Sequence, residues 1–157
     1  MIAKILTLDE FKEERRYLKD VVATSGGFDP IHPGHLSCIY QSKQYGKYVV
    51  VIVNGDWFLK NKKGKAFQSL KDRCEIVSYI KNIDYVIPFE IENDSTVCEA
   101  LKIIQPNVFT KGGDRIDGNT PETQLCHQMG INIIYNVGKE KLWSSSDILK
   151  NYFANKN

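Results

Sequence analysis

Two histidines that lie three residues apart, His32 and His35, are the residues of this sequence whose type and spacing point most directly to chemistry. They follow a β-branched run that begins at Val21 and a pair of glycines, a pattern that predicts a buried strand, a loop and then a helix. Pro33 suits the first position of that helix because its missing N–H group would have had no partner there. Since a helix N-terminus presents unpaired N–H groups and the positive end of its dipole, the pattern predicts an anion site, with phosphate as the natural ligand.

A metal site and a purely structural role are the alternative interpretations of the histidine pair. A metal site would need further ligands, and no third ligand of suitable type and spacing lies nearby. The four cysteines are widely spaced and form no Cys-x-x-Cys motif, so neither a zinc site nor a redox pair is indicated. In a structural role, one histidine would cap the helix and the other would pack. The glycine pair in front of the motif favours the anion site.

Gly26-Gly27-Phe28-Asp29 and the His-Pro-Gly-His segment that follows together resemble the signature of the cytidylyltransferase-like nucleotidyltransferases. In that family, a His-x-Gly-His motif holds the triphosphate of a nucleotide. The resemblance covers nearly the whole chain and implies that His32 and His35 bind phosphates in catalysis, with His35 stabilising charge on the leaving group. It further implies nucleotide contacts by Gly26, Gly27, Phe28 and Asp29.

The segment Lys65–Arg73 is similar to the Lys-Ala-Tyr-x-Ser-x-x-x-Arg of the glycerol-3-phosphate cytidylyltransferases, in which lysines and a helix arginine meet phosphates. The resemblance implies that Lys65 and Arg73 belong to the catalytic site, while Lys62 and Lys63 compete for a second phosphate contact. Taken alone, a lysine run is usually a solvated surface, and an arginine can form a surface salt bridge. The fork of a guanidinium nevertheless suits phosphate oxygens.

A second glycine turn, Lys111-Gly112-Gly113-Asp114, follows an apolar strand and resembles the turn that heptose-phosphate adenylyltransferases place beside the nucleotide base and ribose. Those enzymes usually continue with an aromatic residue, whereas this chain has Arg115, which we also place at the nucleotide. The alternative is a loop whose glycines merely allow positive φ.

A serine triplet, Ser144, Ser145 and Ser146, opens the last predicted helix. A similar hydroxyl triplet in the family opens a helix whose N-terminus faces the nucleotide phosphates, although the serines could also be simple caps. The chain departs from the family just upstream, with Leu142 in place of a glycine and Lys139 near a family arginine.

Alternating apolar runs and helical patterns predict the elements that would position these residues. Strands alternate with helices throughout, which predicts an α/β fold with a Rossmann-like, doubly wound parallel sheet in a single domain over residues 1–157, of which 1–20 form an N-terminal strand and helix extension. In such a sheet, ligands bind outside the carboxyl ends of the strands. The predicted strands after the first are Tyr48–Val53, Tyr85–Phe89, Val108–Thr110 and Ile131–Val137, and the predicted helices begin near Thr7, Pro33, Ser69, Ser95, Thr120 and Ser144. The segment 54–65, which contains the predicted loop Lys60–Lys65, should reach the same carboxyl edge of the sheet.

Composition limits the partners. The 157 residues carry a net charge of only +2, so bulk electrostatics do not indicate nucleic-acid binding, and anion binding must be local. No apolar run approaches the roughly 20 residues of a membrane span, and the N-terminus lacks the apolar core of a signal peptide. We therefore expect a soluble, cytoplasmic protein that binds neither nucleic acid nor membrane.

The resemblance implies a reaction in which a small phosphate monoester, a sugar or alditol phosphate, attacks the α-phosphorus of ATP or CTP and pyrophosphate leaves. Such an enzyme needs no covalent nucleophile, and Mg²⁺ bound with the nucleotide would complete the charge balance. The Lys111 turn favours adenylyl over cytidylyl transfer. A non-catalytic nucleotide-binding module is the alternative, whereas a dinucleotide-dependent enzyme is disfavoured because Gly-x-Gly-x-x-Gly is absent after the first strand. Relatives are often dimers, so a homodimer is a candidate assembly.

Overall fold

The structure, a computed structural model, describes residues 1–113, 118–138 and 144–155. Within them, six parallel strands form one sheet that helices flank. The strands are β1 (Lys4–Ile5), β2 (Val21–Gly26), β3 (Tyr48–Asn54), β4 (Tyr85–Phe89), β5 (Val108–Thr110) and β6 (Asn132–Ile134). The helices are α1 (Leu8–Arg15), α2 (Pro33–Ser42), α3 (Asp56–Lys63), α4 (Leu70–Ser78), α5 (Cys98–Ile104), α6 (Pro121–Met129) and α7 (Ser145–Ala154), with a 3₁₀ turn at Lys43–Tyr45.

The strand order, β1-β4-β3-β2-β5-β6, confirms the predicted doubly wound sheet. From β2 the chain moves through β3 to β4 on one side and then returns to lay down β5 and β6 on the other side. The order of the strands therefore reverses between β2 and β5. A crevice at the carboxyl ends of these two strands is where ligands bind in open α/β sheets.

Alternating side chains of the central strands enter two separate cores, one on each face of the sheet. On one face, Ala23 of β2 and Phe109 of β5 pack in a core with helices α1, α5 and α6. On the other face, Val22 of β2 packs in a core with α2 and α4. Because β3 is covered on both faces, its sequence is a continuous apolar run rather than an alternating one.

The helices are short, and the longest two, α2 and α7, have ten residues each. Their starts follow local sequence signals: Thr7 and Glu10 form a capping box at the predicted start of α1, and the Ser69 hydroxyl accepts the N–H of Asp72 at the start of α4. Among the described residues, none of the helices combines the length and apolar character that crossing a membrane would require.

The prediction was wrong for the segment after β3. Lys60–Lys65 were expected to form a loop, but Lys60–Lys63 belong to helix α3, whose C-cap is Gly64 with a φ of 95°. Leu59 is the one buried residue of this helix, so its apolar face is too narrow to be visible as a periodic pattern. The last strand is also shorter than expected, since β6 covers only Asn132–Ile134.

Candidate active site

A cavity of ≈ 510 Å³ opens at the carboxyl edge of the sheet, where the strand order reverses. This volume is within the range of small-molecule sites. Its wall is built from the ends of β2, β3 and β5 and from the starts of α2, α6 and α7. Segments that are distant in the sequence thus meet at the edge predicted for the ligand.

The glycine turn after β2 forms the floor of the cavity and is tightly packed. A Cβ atom on Gly27 would lie 2.7 Å from Cδ2 of Leu59, and one on Gly26 would lie 3.0 Å from Cζ of Phe28. Phe28 is buried, has a φ of 52°, and its ring packs edge-on against His35 with centroids 4.9 Å apart. Side chains at the two glycines would therefore displace the residues that hold the turn against α2 and α3.

The two histidines are both helix caps and cavity residues. His32 precedes α2, and its Nδ1 accepts the backbone N–H of Gly34 at 3.1 Å. His35 Nδ1 in turn accepts the backbone N–H of His32 at 3.2 Å, and the two rings stack with centroids 3.7 Å apart. Because each Nδ1 is an acceptor, a neutral ring must carry its proton on Nε2. The helix cap thus selects the tautomer that offers Nε2–H donors, and both rings line the cavity.

Asp29 ties the glycine turn to the segment between α3 and α4. Its carboxylate is buried and accepts the backbone N–H groups of Phe67 at 2.6 Å and Gln68 at 2.8 Å. It also pairs with Lys63 Nζ at 3.2 Å, and Lys63 donates a further hydrogen bond to the Asp29 carbonyl oxygen. The structure thus gives Asp29, which the resemblance assigns to nucleotide contact, a complete set of protein partners while placing it in the cavity wall.

The predicted lysines divide into two groups. Lys62 and Lys63, on the last turn of α3, line the cavity. Lys65 is exposed and is not among the residues that line it. The catalytic assignment of Lys65 therefore rests on the sequence resemblance, and the cavity wall favours its two neighbours.

Arg73 requires a correction. It was expected to meet phosphate, but its side chain is fully buried, with 0% exposure, and four of its five N–H groups donate within the protein. Nε donates to the carbonyl of Gln68 at 3.0 Å, and Nη1 donates to the carbonyl of Gly27 at 2.8 Å and to that of Asn54. Nη2 pairs with Asp56 at 2.7 Å. The guanidinium therefore donates to backbone oxygens of the glycine turn, of the end of β3 and of the segment before α4 rather than to phosphate oxygens.

The second glycine turn lies at the end of β5. Lys111, Gly112 and Gly113 all line the cavity, and a Cβ on Gly112 would lie 3.1 Å from Sγ of Cys38 on α2. Gly113 has a φ of 75°, in the left-handed region that favours glycine. Asp114 and Arg115, assigned to the nucleotide from the sequence, lie outside the described residues, as do Lys139 and Leu142.

The serine triplet brings a second helix N-terminus to the cavity. Ser144 caps α7: its Oγ accepts the N–H of Asp147 at 3.2 Å, and the Asp147 carboxylate accepts the N–H of Ser144 at 3.0 Å. The Ser145 hydroxyl donates to the carbonyl of Pro30 at 2.7 Å and so ties α7 to the loop before α2. Ser144, Ser145 and Ser146 line the same cavity as the two histidines.

Comparison with known proteins agrees with this geometry. The sequence model of the cytidylyltransferase-like family matches residues 23–151, which extend from β2 into α7. The chain belongs to the cytidylyltransferase-like family. It is 33% identical over 122 residues to the bifunctional protein HldE of Nitrosococcus oceani and 35% identical over 115 residues to that of Sulfurimonas denitrificans, which is 76% and 72% of this chain. The chain spans only 24% of the length of each of these relatives.

Solved structures share the fold of this chain. The lipopolysaccharide core biosynthesis protein of Thermoplasma volcanium superposes with a TM-score of 0.64 at 23% identity, over 77% of this chain and 98% of that one. The pantoate-beta-alanine ligase of Francisella tularensis, solved in complex with beta-gamma ATP and beta-alanine, superposes with a TM-score of 0.65 at 16% identity, over 98% of this chain and 77% of that one. At these identities, the likeness concerns the fold.

Sequence reasoning missed part of the cavity of this cytidylyltransferase-like chain. The unpredicted wall comes from the segment before α5 and from the first turn of α6. The rule that the ends of parallel strands share one edge could have pointed to the first of these, because it follows a strand. The unpredicted lining residues include Cys38, Ser95, Val97 and Glu122, whereas Asn54 and Phe58 belong to the segment 54–65 that was expected at this edge.

Proposed function

We propose that this chain is a nucleotidyltransferase that transfers a nucleoside monophosphate, preferably from ATP, to a small phosphate monoester such as a sugar or alditol phosphate, and releases pyrophosphate. The observation that carries the proposal is the meeting of two helix N-termini and two histidines in one cavity. The starts of α2 and α7 and the rings of His32 and His35 all line it. Helix N-termini and imidazole N–H donors are groups suited to polyphosphate.

The proposed chemistry is in-line displacement at the α-phosphorus. Both reactants are anions, so catalysis consists of positioning them and neutralising charge, for which Lys62, Lys63 and the histidine Nε2–H groups are suited. His35 is proposed to stabilise the charge that develops on the leaving pyrophosphate. A covalent intermediate is not required, and burial raises the pKa of the Cys38 thiol in the cavity wall, which disfavours the thiolate.

Magnesium is proposed to enter with the nucleotide. Among residues 1–113, 118–138 and 144–155, no group of three or more His, Cys, Asp or Glu side chains is arranged to hold a metal ion. Mg²⁺ in nucleotide-using proteins is commonly held by substrate phosphates, waters and one or two carboxylates, so a dedicated protein cage is not needed. The ion would neutralise phosphate charge in the bound nucleotide.

The preference for ATP rests on the Lys111 turn, which resembles the adenylyl-transferring heptose-phosphate enzymes. A glycine turn lets the backbone approach a base edge closely, because no side chain intervenes. A sugar phosphate as acceptor is consistent with the same resemblance.

The test is pyrophosphate release with each of the four Mg²⁺-nucleoside triphosphates against a panel of sugar and alditol phosphates. We expect release with MgATP that depends on the acceptor. Binding of MgATP in a thermal-shift assay without release for any acceptor would instead favour a non-catalytic nucleotide-binding module. Absence of both binding and release would contradict the whole proposal.

A further inference from the structure

The cavity spans the two faces of the sheet. The His-Pro-Gly-His segment begins α2, whose Ile39 packs in the core on one face. Val97 precedes α5, and the α6 residue Cys126 packs in the core on the opposite face. Since α2, Val97 and the α6 residue Glu122 all contribute to the cavity wall, a ligand that fills the cavity crosses the carboxyl edge of the sheet from one face to the other.

The two walls differ in charge. The wall on the α2 face carries His32, His35, Lys62 and Lys63. Ser95, Val97 and Glu122 contribute to the wall on the α5 and α6 face, which carries the Glu122 carboxylate. Lys111, at the end of β5, also lines the cavity, and its Nζ lies 5.6 Å from the ring centroid of Phe109, a core residue of that face. A negative charge in a cavity suited to polyphosphate would repel that part of the ligand, so it should face a part without negative charge.

Glu122 has capacity to accept hydrogen bonds from a ligand. One of its oxygens, Oε1, accepts the N–H of Val97 at a long 3.4 Å. Within the described part of the chain, Oε2 has no hydrogen-bond partner and the carboxylate has no ion pair. Asp29, a second carboxylate in the wall among the described residues, is different because both of its oxygens accept backbone N–H groups.

Helix capping does not account for Glu122. Thr120 is the N-cap of α6, and its hydroxyl already accepts the N–H of Thr123 at 3.2 Å. A glutamate in the first turn of a helix is stabilised by the helix dipole, but this stabilisation would be the same if the side chain lay outside the cavity. Glu99, in the first turn of α5, does so on the surface, where it pairs with Lys102 at 2.6 Å.

Resting on the proposed function, we infer that Glu122 is a specificity residue that accepts hydrogen bonds from a pair of neighbouring hydroxyl groups of the ligand. A carboxylate is an acceptor-only group with two oxygens, so it complements a diol and rejects a phosphate. The diol belongs either to the carbon skeleton of the acceptor or to the nucleotide ribose. In-line displacement favours the acceptor, because the leaving pyrophosphate occupies the cationic wall and the attacking group must approach from the opposite side.

The experiment uses the full chain with Glu122→Gln and Glu122→Ala, and Glu99→Gln as the matched control outside the cavity. The acceptor arm measures pyrophosphate release with MgATP and glycerol 3-phosphate, glucose 1-phosphate or mannose 1-phosphate, with 2-deoxyglucose 1-phosphate as the common deoxy analogue of the last two. The nucleotide arm measures the affinities of MgATP and of its 2′-deoxy and 3′-deoxy forms by calorimetry.

For an acceptor diol, Glu122→Gln raises the acceptor KM about tenfold or more, as expected for loss of a hydrogen bond to a charged group. The KM of MgATP stays within about twofold, and the preference for hydroxylated over deoxy acceptor disappears. If the diol is that of the ribose, Glu122→Gln instead binds MgATP and its 2′-deoxy and 3′-deoxy forms with equal affinity. Glu99→Gln changes neither quantity.

Variants of Glu122 that keep both hydroxyl preferences, or that lose stability and affect all substrates equally, overturn the inference. The proposed function fails separately, when the parent protein releases no pyrophosphate with any acceptor and nucleotide. In that event the nucleotide arm alone decides the inference, and it survives only if Glu122→Gln abolishes discrimination against the deoxy nucleotides.

Discussion

At the scale of single residues, His35 is the side chain on which the proposed chemistry depends most. We expect His35→Ala to reduce turnover about 100-fold to 1000-fold, the usual effect of removing one preorganised donor from a transition state. The fold should survive, because the ring is only partly buried and its loss leaves α2 capped by the Nδ1 of His32. Steady-state kinetics and a thermal melt measure the two effects.

His127→Ala provides the control for this prediction, since His127 is an exposed histidine on α6 and does not line the cavity. It should melt and turn over like the parent. A folded His35→Ala protein with near-parental turnover would sink the assignment of His35.

The lysines offer a sharper comparison, because the sequence and the structure rank them differently. The resemblance assigns Lys65 to catalysis, whereas the ammonium of Lys63 lies in the cavity wall beside Asp29, at 3.2 Å. We expect Lys63→Ala to reduce kcat/KM for the nucleotide more than Lys65→Ala does, with the exposed Lys71→Ala as the neutral control. A larger loss of kcat/KM in Lys65→Ala than in Lys63→Ala would show that the segment between α3 and α4 rearranges around the bound nucleotide.

At the scale of elements, Arg73 joins the pieces that frame the cavity. Its guanidinium bonds to the glycine turn after β2, to the end of β3, to the start of α3 and to the segment before α4. Arg73→Met would leave buried carbonyl oxygens without donors, at a cost of about 3 kcal/mol or more in the free energy of unfolding.

Asp56→Asn is the matched comparison for Arg73→Met. Its carboxylate is 50% exposed, so we expect a loss below about 1 kcal/mol for this variant. Urea unfolding of both proteins makes the measurement. An Arg73→Met protein as stable as the parent would mean that water replaces the lost donors and that Arg73 does not hold these elements together.

The strands were predictable because burial imposes a local pattern on the sequence. The bounds of β4 and β5 agree with the predicted runs, and β3 extends its run by one residue. Partners that are distant in the sequence were not predictable. A guanidinium can donate to carbonyl as well as to phosphate oxygens, so the role of Arg73 depends on acceptors at Gly27, Asn54 and Gln68 that only the fold brings together.

The residues of the site likewise divide into those that a local sequence pattern reveals and those that only tertiary packing brings to the cavity. The histidine motif, the second glycine turn and the serine triplet each follow or begin a recognisable element, and all three reach the cavity as predicted. Glu122 was visible only as part of the first turn of a helix. Its place in the cavity follows from the packing of α6 beside α5, to which no local pattern corresponds.

At the scale of the whole molecule, the reversal of strand order puts the His-Pro-Gly-His segment and the Lys111 turn on neighbouring strands, β2 and β5. One ligand can therefore contact both, with its phosphates at the histidines and its base at the turn. A Cβ on Gly112 would lie 3.1 Å from Sγ of Cys38, so the turn packs against α2 and its position is coupled to that of the phosphate site. In the proposed function, base preference and phosphate affinity are then two contributions to binding at one site.

We accordingly predict that MgATP stabilises the protein more than MgCTP does at equal concentration. The difference should be modest, since a base contact of the bidentate type discriminates by about 1 to 3 kcal/mol. Stabilisation grows with the logarithm of ligand concentration over Kd, so thermal melts across a titration convert the shifts into relative affinities. Mg²⁺ with inorganic triphosphate, which has no base, isolates the contribution of the phosphates. Equal shifts for all three ligands would mean that the Lys111 turn does not read the base, and a larger shift for CTP would reverse the preference while leaving the phosphate site in place.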